Sequence, residues 1–387
     1  MNRLAAAPGP TTAAVGVIGL GEIGQVHVAA VRKSAVARLA AVADPVAELV
    51  QPFAAEGLSA YADAFELITD PGVGTVLVCL QHDLHFPVAL RALQAGKNVL
   101  VEKPLAIDPG QCQALIDAAQ ANGVKLGASH NQVFYAPHVE VKRLIDTGGI
   151  GRPVLIRLRL GMGALYRGWR GSPAQTGGGL LIEAGVHRVY LALHLFGPVR
   201  AVHAVLDVPR DQGEKFAVVT LQFESGALGV IEANYFGPPW TFDDEIEIVG
   251  TDAILRLAGA EALYNDFRTG PVLTMFRDHQ WSEVPVPDDD WRTSVETSVI
   301  AYLDAVTAGR EPPVTGTAGL ETVRLIHQIY DSATILDAGD LPTRVGDSSL
   351  SGNLVKLSCF YRTAIICFDS PHASADVCRR QRRSLII

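Results

Sequence analysis

The 387-residue chain is long enough for two domains with sizeable cores. It is 48% hydrophobic and 19% charged, the balance of a globular protein, and its net charge of −9, with no basic patch before the final residues, argues against nucleic acid as a principal partner. No apolar run approaches the ~18 residues of a membrane span, and the opening MNRLAAAPGPTTAA lacks the apolar core of a secretion signal, so a cytoplasmic protein is expected.

In chain order, AAVGVIG reads as a strand and IGQVHVAAVRKS as a helix. RLAAVADP is a second strand, and VAELVQPFAAEG is a helix stopped by Gly57. VGTVLVCL is a strand, FPVALRALQAGK a helix ending at Gly96, and NVLVEK a strand. PGQCQALIDAAQANG is a helix ending at Gly123, and VKLGAS a strand. Near-continuous apolar strands alternating with helices predict a parallel, doubly wound α/β sheet over residues 14–133.

Beyond about residue 150 the pattern changes to longer strands joined by turns: PVLIRLRLGMG, AVHAVLDVP, FAVVTLQF, ALGVIEANYF and EIEIVGT. With helices near 137–147, 181–196, 293–308 and 317–337, this predicts an α+β domain over 134–342, built on an open, mainly antiparallel sheet. Residues 1–13 read as a leader. From Leu341 onward seven Lys/Arg face three Asp/Glu, and Cys359, Cys367 and Cys378 cluster there. Residues 343–387 are therefore read as a disordered, non-homologous extension, the alternative being a basic, redox-sensitive or membrane-touching tail. Five scattered cysteines, with Cys79 and Cys112 in apolar or helical surroundings, suggest neither a disulfide framework nor a zinc site.

Two stretches carry chemistry. GLGEIG, Gly19 to Gly24, fits G-x-G-x-x-G where a strand gives way to a helix. Gly19 permits the tight turn, Gly21 lets a pyrophosphate approach, Gly24 lets helix and strand pack, and Glu22 and Ile23 open a helix whose N-terminus favours phosphate. Asp44 lies 20 residues on, at the end of the second strand, where a carboxylate binds ribose hydroxyls and repels a 2′-phosphate. The expected cofactor is NAD, with NADP second. The other stretch is VEKPLA. A lysine at the end of a buried strand is costly unless it is paired or used, and Pro104 keeps Lys103 out of helical geometry.

Taken with TVLVCLQHDLHFPVALRALQAGKNVLVEKPLA, NQVFYAP, GWRGSPAQTGGGLLIEAGVHRVYLALHLFG and EIEIVGTDAILRL, in that order, the chain resembles the Gfo/Idh/MocA oxidoreductase family over roughly residues 13–342. The resemblance implies that Lys103 sits beside the nicotinamide and the reacting carbon, faced by His187 from the second-domain motif. It adds Glu102 and His85 to the cofactor-binding residues and Glu183 to the catalytic ones. An ammonium can hold the alcohol oxygen, and a histidine can take its proton. Glu183 and His187, at i and i+4 on one helix, would share a face, so Glu183 could orient the imidazole or bind substrate. Asn131, Tyr166, Trp169 and Arg170 join Lys103, Glu183 and His187 as candidate substrate contacts. No third ligand accompanies the Glu183–His187 spacing, so no metal is expected. There are departures from the family pattern: Leu80-Gln81-His82 replaces Thr-Pro-Asn, Glu183 replaces an Asp, and Tyr190 replaces a frequent Asp.

The implied activity is hydride transfer between NAD and a secondary alcohol of a sugar, sugar acid, cyclitol or amino sugar. The alternatives are a redox-neutral NAD-dependent glycosidase of the same fold, or a non-catalytic nucleotide or sugar sensor. The resemblance also implies a homodimer or homotetramer built through the second sheet.

Overall fold

The computed structural model describes residues 12–163, 168–236, 242–258 and 271–336. Nearly all of the leader, Tyr166, and the extension with its three cysteines lie outside the described residues.

The first half begins with β1 (Ala13–Ile18), α1 (Glu22–Lys33), β2 (Ala37–Ala43), α2 (Ala47–Ala55), β3 (Ser59–Tyr61) and α3 (Ala64–Thr69). It continues with β4 (Thr75–Val78), α4 (His82–Gln94), β5 (Asn98–Glu102), α5 (Pro109–Asn122) and β6 (Leu126–Ser129). The strands form a six-stranded sheet in the order β3-β2-β1-β4-β5-β6, and every pairing in it is parallel. The apolar strands are buried on both faces because alternate side chains serve different layers. Val76, Val78, Val99 and Val101 pack with Leu67, Ile68, Val88 and Leu93, whereas Val17, Leu77 and Leu100 pack with Val28 and Val31. The element α5 shows why the local reading works: Asp108 caps it by accepting from the Gly110 and Gln111 N–H groups, and Gly123 ends it at φ 64°. The elements β3 and α3 escape a sequence reading because three and six residues are too few to show a period.

A 3₁₀ turn (Asn131–Phe134) and α6 (Ala136–Asp146) lead into β7 (Pro153–Met162). A 3₁₀ turn (Gly168–Gly171), α7 (Pro173–Thr176), α8 (Leu180–Glu183) and α9 (Val186–Phe196) follow. Next come β8 (Val199–Leu206), β9 (Phe216–Phe223), β10 (Leu228–Asn234), β11 (Phe242–Asp243), β12 (Glu245–Gly250), β13 (Ile254–Ala258), β14 (Leu273–Arg277) and β15 (Gln280–Glu283). The described part closes with α10 (Trp291–Thr307), α11 (Gly316–Asp331) and β16 (Ala333–Ile335). Among the described residues the second sheet has ten strands, nine on the path β15-β14-β13-β12-β7-β10-β9-β8-β16 and β11 paired to β7. Its pairings are antiparallel except β7 with β10 and β8 with β16. One face packs Ile156, Leu158, Val219 and Ile231 against Val189, Leu195 and Ile326. The other face exposes an ion-pair ladder of Arg157, Arg159 and Arg256 with Asp243, Glu245 and Glu247.

Two expectations change. The final helix stops at Asp331 rather than continuing to 337, because Ala333–Ile335 pairs with the sheet edge at β8. The helix at 293–308 does not close the second domain. The buried stripe Val299, Tyr302 and Leu303 of α10 instead joins the core between α1 and the first sheet. Among the described residues no helix is long and apolar enough to cross a membrane.

Candidate active site

The first sheet reverses its winding between β1 and β4, and a ligand crevice forms outside the strand ends at such a point. The glycine loop lies there. Gly19 has φ 87°, and a Cβ on it would stand 2.2 Å from the Cys79 carbonyl oxygen; one on Gly24 would stand 1.9 Å from the Gly19 carbonyl oxygen. Gly21 differs, since a Cβ there would meet nothing within 4 Å. It is also the N-cap of α1 and supplies no side-chain cap. The first-turn N–H groups, those of Glu22 and Ile23 included, have no helical carbonyl to donate to. That arrangement fits a dinucleotide phosphate.

Asp44 braces the same loop. Its Oδ2 accepts from the Leu20 N–H at 2.7 Å and its Oδ1 from the Val46 N–H at 2.9 Å. The carboxylate thus shapes the loop at the end of β2.

Glu102 ends β5, and its Oε1 lies 2.7 Å from the His27 Nε2. Both residues are buried. Burial opposes charge on either, yet the pair overcomes it: Cys79 and Glu102 raise the His27 pKa, and His27 with Ser129 lowers that of Glu102. Glu102 also accepts from the Lys103 N–H at 3.2 Å, so it serves as a brace beneath the strand end. His85 is likewise fully buried, with Nδ1 2.7 Å from the Pro104 carbonyl and Nε2 3.0 Å from that of Leu80. Burial lowers its pKa, and a neutral imidazole donates to only one of these carbonyls. It ties the loop after β4 to the loop after β5.

Lys103 follows, joined to Pro104 by a cis peptide bond. Its Nζ donates to the Glu183 carbonyl at 2.8 Å, which joins the two domains at the crevice. The premise that Glu183 and His187 share one helix is corrected: α8 ends at Glu183 and α9 begins at Val186. The Glu183 carboxylate is bound by Arg170 and by the Tyr235 hydroxyl (3.2 Å). It thereby holds the loop that carries Arg170. His187 sits half-buried in the first turn of α9. The adjacent Arg188 anchors that turn by pairing with Asp244 at 2.6 Å and donating to the Gln132 Oε1 at 2.6 Å.

The segment Leu80-Gln81-His82 meets the second domain. Gln81 Oε1 accepts from Gln175 Nε2 at 3.0 Å, and His82 Nδ1 lies 3.2 Å from the Thr176 carbonyl. The His82 ring also stands edge-on to Trp169 at 5.0 Å, and the Arg170 guanidinium covers the indole at 4.6 Å. Trp169 and Arg170 thus close over the start of α4. Asn131 is 3% exposed and its Nδ2 donates to the Ser294 Oγ at 2.8 Å, which commits that nitrogen to α10. Among the described residues no group of three or more His, Cys, Asp or Glu is placed to hold a metal, and Cys79 and Cys112 are free and buried.

Three residues of this region are missing from the sequence reading. His27 lies three residues past Gly24 on the buried stripe of α1, a signal that helical spacing offers. Tyr235 has no sequence signal. His130 follows β6 just as Lys103 follows β5, so the strand-end argument that singles out Lys103 applies to it equally.

Comparison with known proteins agrees with this arrangement. Residues 13–130 match the oxidoreductase family, NAD-binding Rossmann fold, and residues 138–256 match the GFO/IDH/MocA C-terminal domain. A myo-inositol 2-dehydrogenase of Thermotoga maritima is 30% identical over 251 residues, covering 61% of this chain and 72% of that protein. An inositol 2-dehydrogenase of Saccharopolyspora erythraea is 30% identical over 278 residues, covering 68% and 79% respectively. The crystal structure of an NAD binding oxidoreductase from Klebsiella pneumoniae superposes with a TM-score of 0.72 at 25% identity, covering 83% of this chain and 96% of that one.

Proposed function

The chain belongs to the Gfo/Idh/MocA family of oxidoreductases, with an NAD-binding Rossmann domain over residues 13–130, and on that premise we propose that it oxidises a secondary alcohol of a cyclitol or sugar. The observation that carries the reading is the Lys103 ammonium reaching across the crevice to the Glu183 carbonyl, four residues before His187. The inositol dehydrogenases among the relatives support the substrate class.

NAD, when bound, supplies the hydride acceptor. Lys103 holds the alcohol oxygen and stabilises the charge that grows on it. His187 takes the hydroxyl proton. Arg170, fixed by Glu183, and Trp169 cover the opening and exclude water.

The test is NADH formation across a panel of cyclitols and sugars. With the preferred substrate, His187→Ala should lower kcat by about 10²–10⁴-fold while NAD affinity holds, and Lys103→Met should lower it at least as much. The double variant should lose less than the product of the two, because both side chains act on one oxygen. A His187→Ala protein with full activity would overturn this assignment of the base.

A further inference from the structure

His130 is buried (1% exposed), and neither ring nitrogen has a partner among the described residues. Such a group costs stability unless something satisfies it. Its ring stacks on Tyr190 from α9 at 4.1 Å and 21°, which fixes the plane of the imidazole. Its place is the sheet end that also carries Lys103. Ser129, the residue before it, pairs with Glu102, the residue before Lys103, so His130 and Lys103 leave adjacent strands side by side. Burial pushes the imidazole down to about 3, with Glu102 favouring its charge and Lys103 opposing it, so it is neutral at any working pH.

We infer that His130 is a specificity residue: its nitrogens receive one hydroxyl of a neutral polyol, next to the alcohol that Lys103 holds. This rests on the dehydrogenase reading above. The chemistry selects the group. A neutral imidazole offers one donor and one acceptor, and a hydroxyl answers both. A carboxylate answers only the donor and an ammonium only the acceptor. Neutral cyclitols and sugars are therefore favoured over sugar acids and amino sugars at this position.

The test uses His130→Phe, which keeps a flat ring against Tyr190 and removes both nitrogens. Without substrate its melting temperature should equal or exceed that of the unmodified protein, since two buried polar atoms are gone. For the preferred polyol kcat/KM should fall about 10- to 100-fold, mostly through KM. For the deoxy analogue lacking the recognised hydroxyl, the two proteins should perform alike. His130→Gln retains a donor and an acceptor and should bind the polyol better than His130→Phe; the reverse order would overturn the inference. His130→Leu replaces the Phe variant if that chain does not fold. Polyol-induced thermal stabilisation of the NADH-loaded protein separates this idea from the reaction itself. Stabilisation without turnover overturns only the dehydrogenase reading. Equal stabilisation of the unmodified and Phe proteins overturns only the role of His130. No stabilisation by any polyol overturns both.

Discussion

Asp44 shapes the glycine loop, and on the proposed reading it also faces the adenosine ribose. Its hydrogen bonds to the Leu20 and Val46 N–H groups keep both oxygens on that side of the loop. A 2′-phosphate would meet a carboxylate held by its neighbours and unable to swing aside. NAD should therefore be preferred over NADP by at least ~10-fold in kcat/KM. Asp44→Ser should narrow that ratio and also weaken NAD use, since Leu20 and Val46 lose their acceptor. Steady-state kinetics with both cofactors checks this, and equal use of the two by the unmodified protein would refute it. GLGEIG and Asp44 are legible in sequence because they belong to a motif of recurrent spacing between one strand and the next. The partners of Glu183 are not, since no such spacing ties it to Arg170, 13 residues before it, or to Tyr235, 52 after it.

The turn from β1 to α1 shows how differently three glycines in one motif can act. Gly24→Ala would place a Cβ against backbone 1.9 Å away, so it should lower the melting temperature as well as NAD affinity. Gly21→Ala projects into open space, so it should leave the melting temperature unchanged and lower NAD affinity by at least ~10-fold, because the methyl group takes the place of the phosphate. Calorimetry paired with NAD titration separates the two. The short helix α8 depends on a more distant group, Glu214, which accepts from the Gly179 and Leu181 N–H groups at 2.9 and 2.8 Å and from the Tyr330 hydroxyl at 2.8 Å. Burial pushes its carboxyl up to about 7 against the pull of those donors. Between the ordinary carboxylate range and that value the folded chain holds a proton that the unfolded chain has lost. The stabilisation is complete at acid pH and disappears as pH rises through about 7. The stability difference between the unmodified protein and Glu214→Gln should thus fall by on the order of 2–3 kcal/mol from pH 4 to pH 8. Denaturant unfolding at several pH values measures it, and a difference that grows with pH would refute it.

At the scale of the whole molecule, the domains are joined around the proposed site. Lys103 reaches Glu183, Gln81 meets Gln175, and His82 meets Trp169 and Thr176. Arg210 adds a tie by donating to the Ile107 carbonyl at 3.2 Å and to that of Gly177 at 2.6 Å. The compact unit that contains these contacts runs to Asp340. A chain ending at Pro342 should therefore fold, melt within a few degrees of the full chain, and bind NAD equally well. Insolubility or lost NAD affinity would show that the extension is structural.

Local rules were enough for much of this protein. Apolar runs bounded by glycines marked the strands and helices of the first sheet, because periodicity and stop signals act within a few residues, and the glycine motif followed 20 residues on by Asp44 was readable because its spacing is recurrent. Period-two runs such as FAVVTLQF marked the second sheet, with alternate residues buried as expected. Tertiary structure decided the rest. The helix α10 was expected in the second domain, yet it packs against α1 and the first sheet, since an apolar stripe fits any apolar groove. The break between α8 and α9, with Glu183 turned to Arg170 and Tyr235, follows from partners that periodicity cannot identify. The burial of His130 against Tyr190, 60 residues away, exists only once β6 and α9 are folded together, because an imidazole is neutral or charged according to its surroundings.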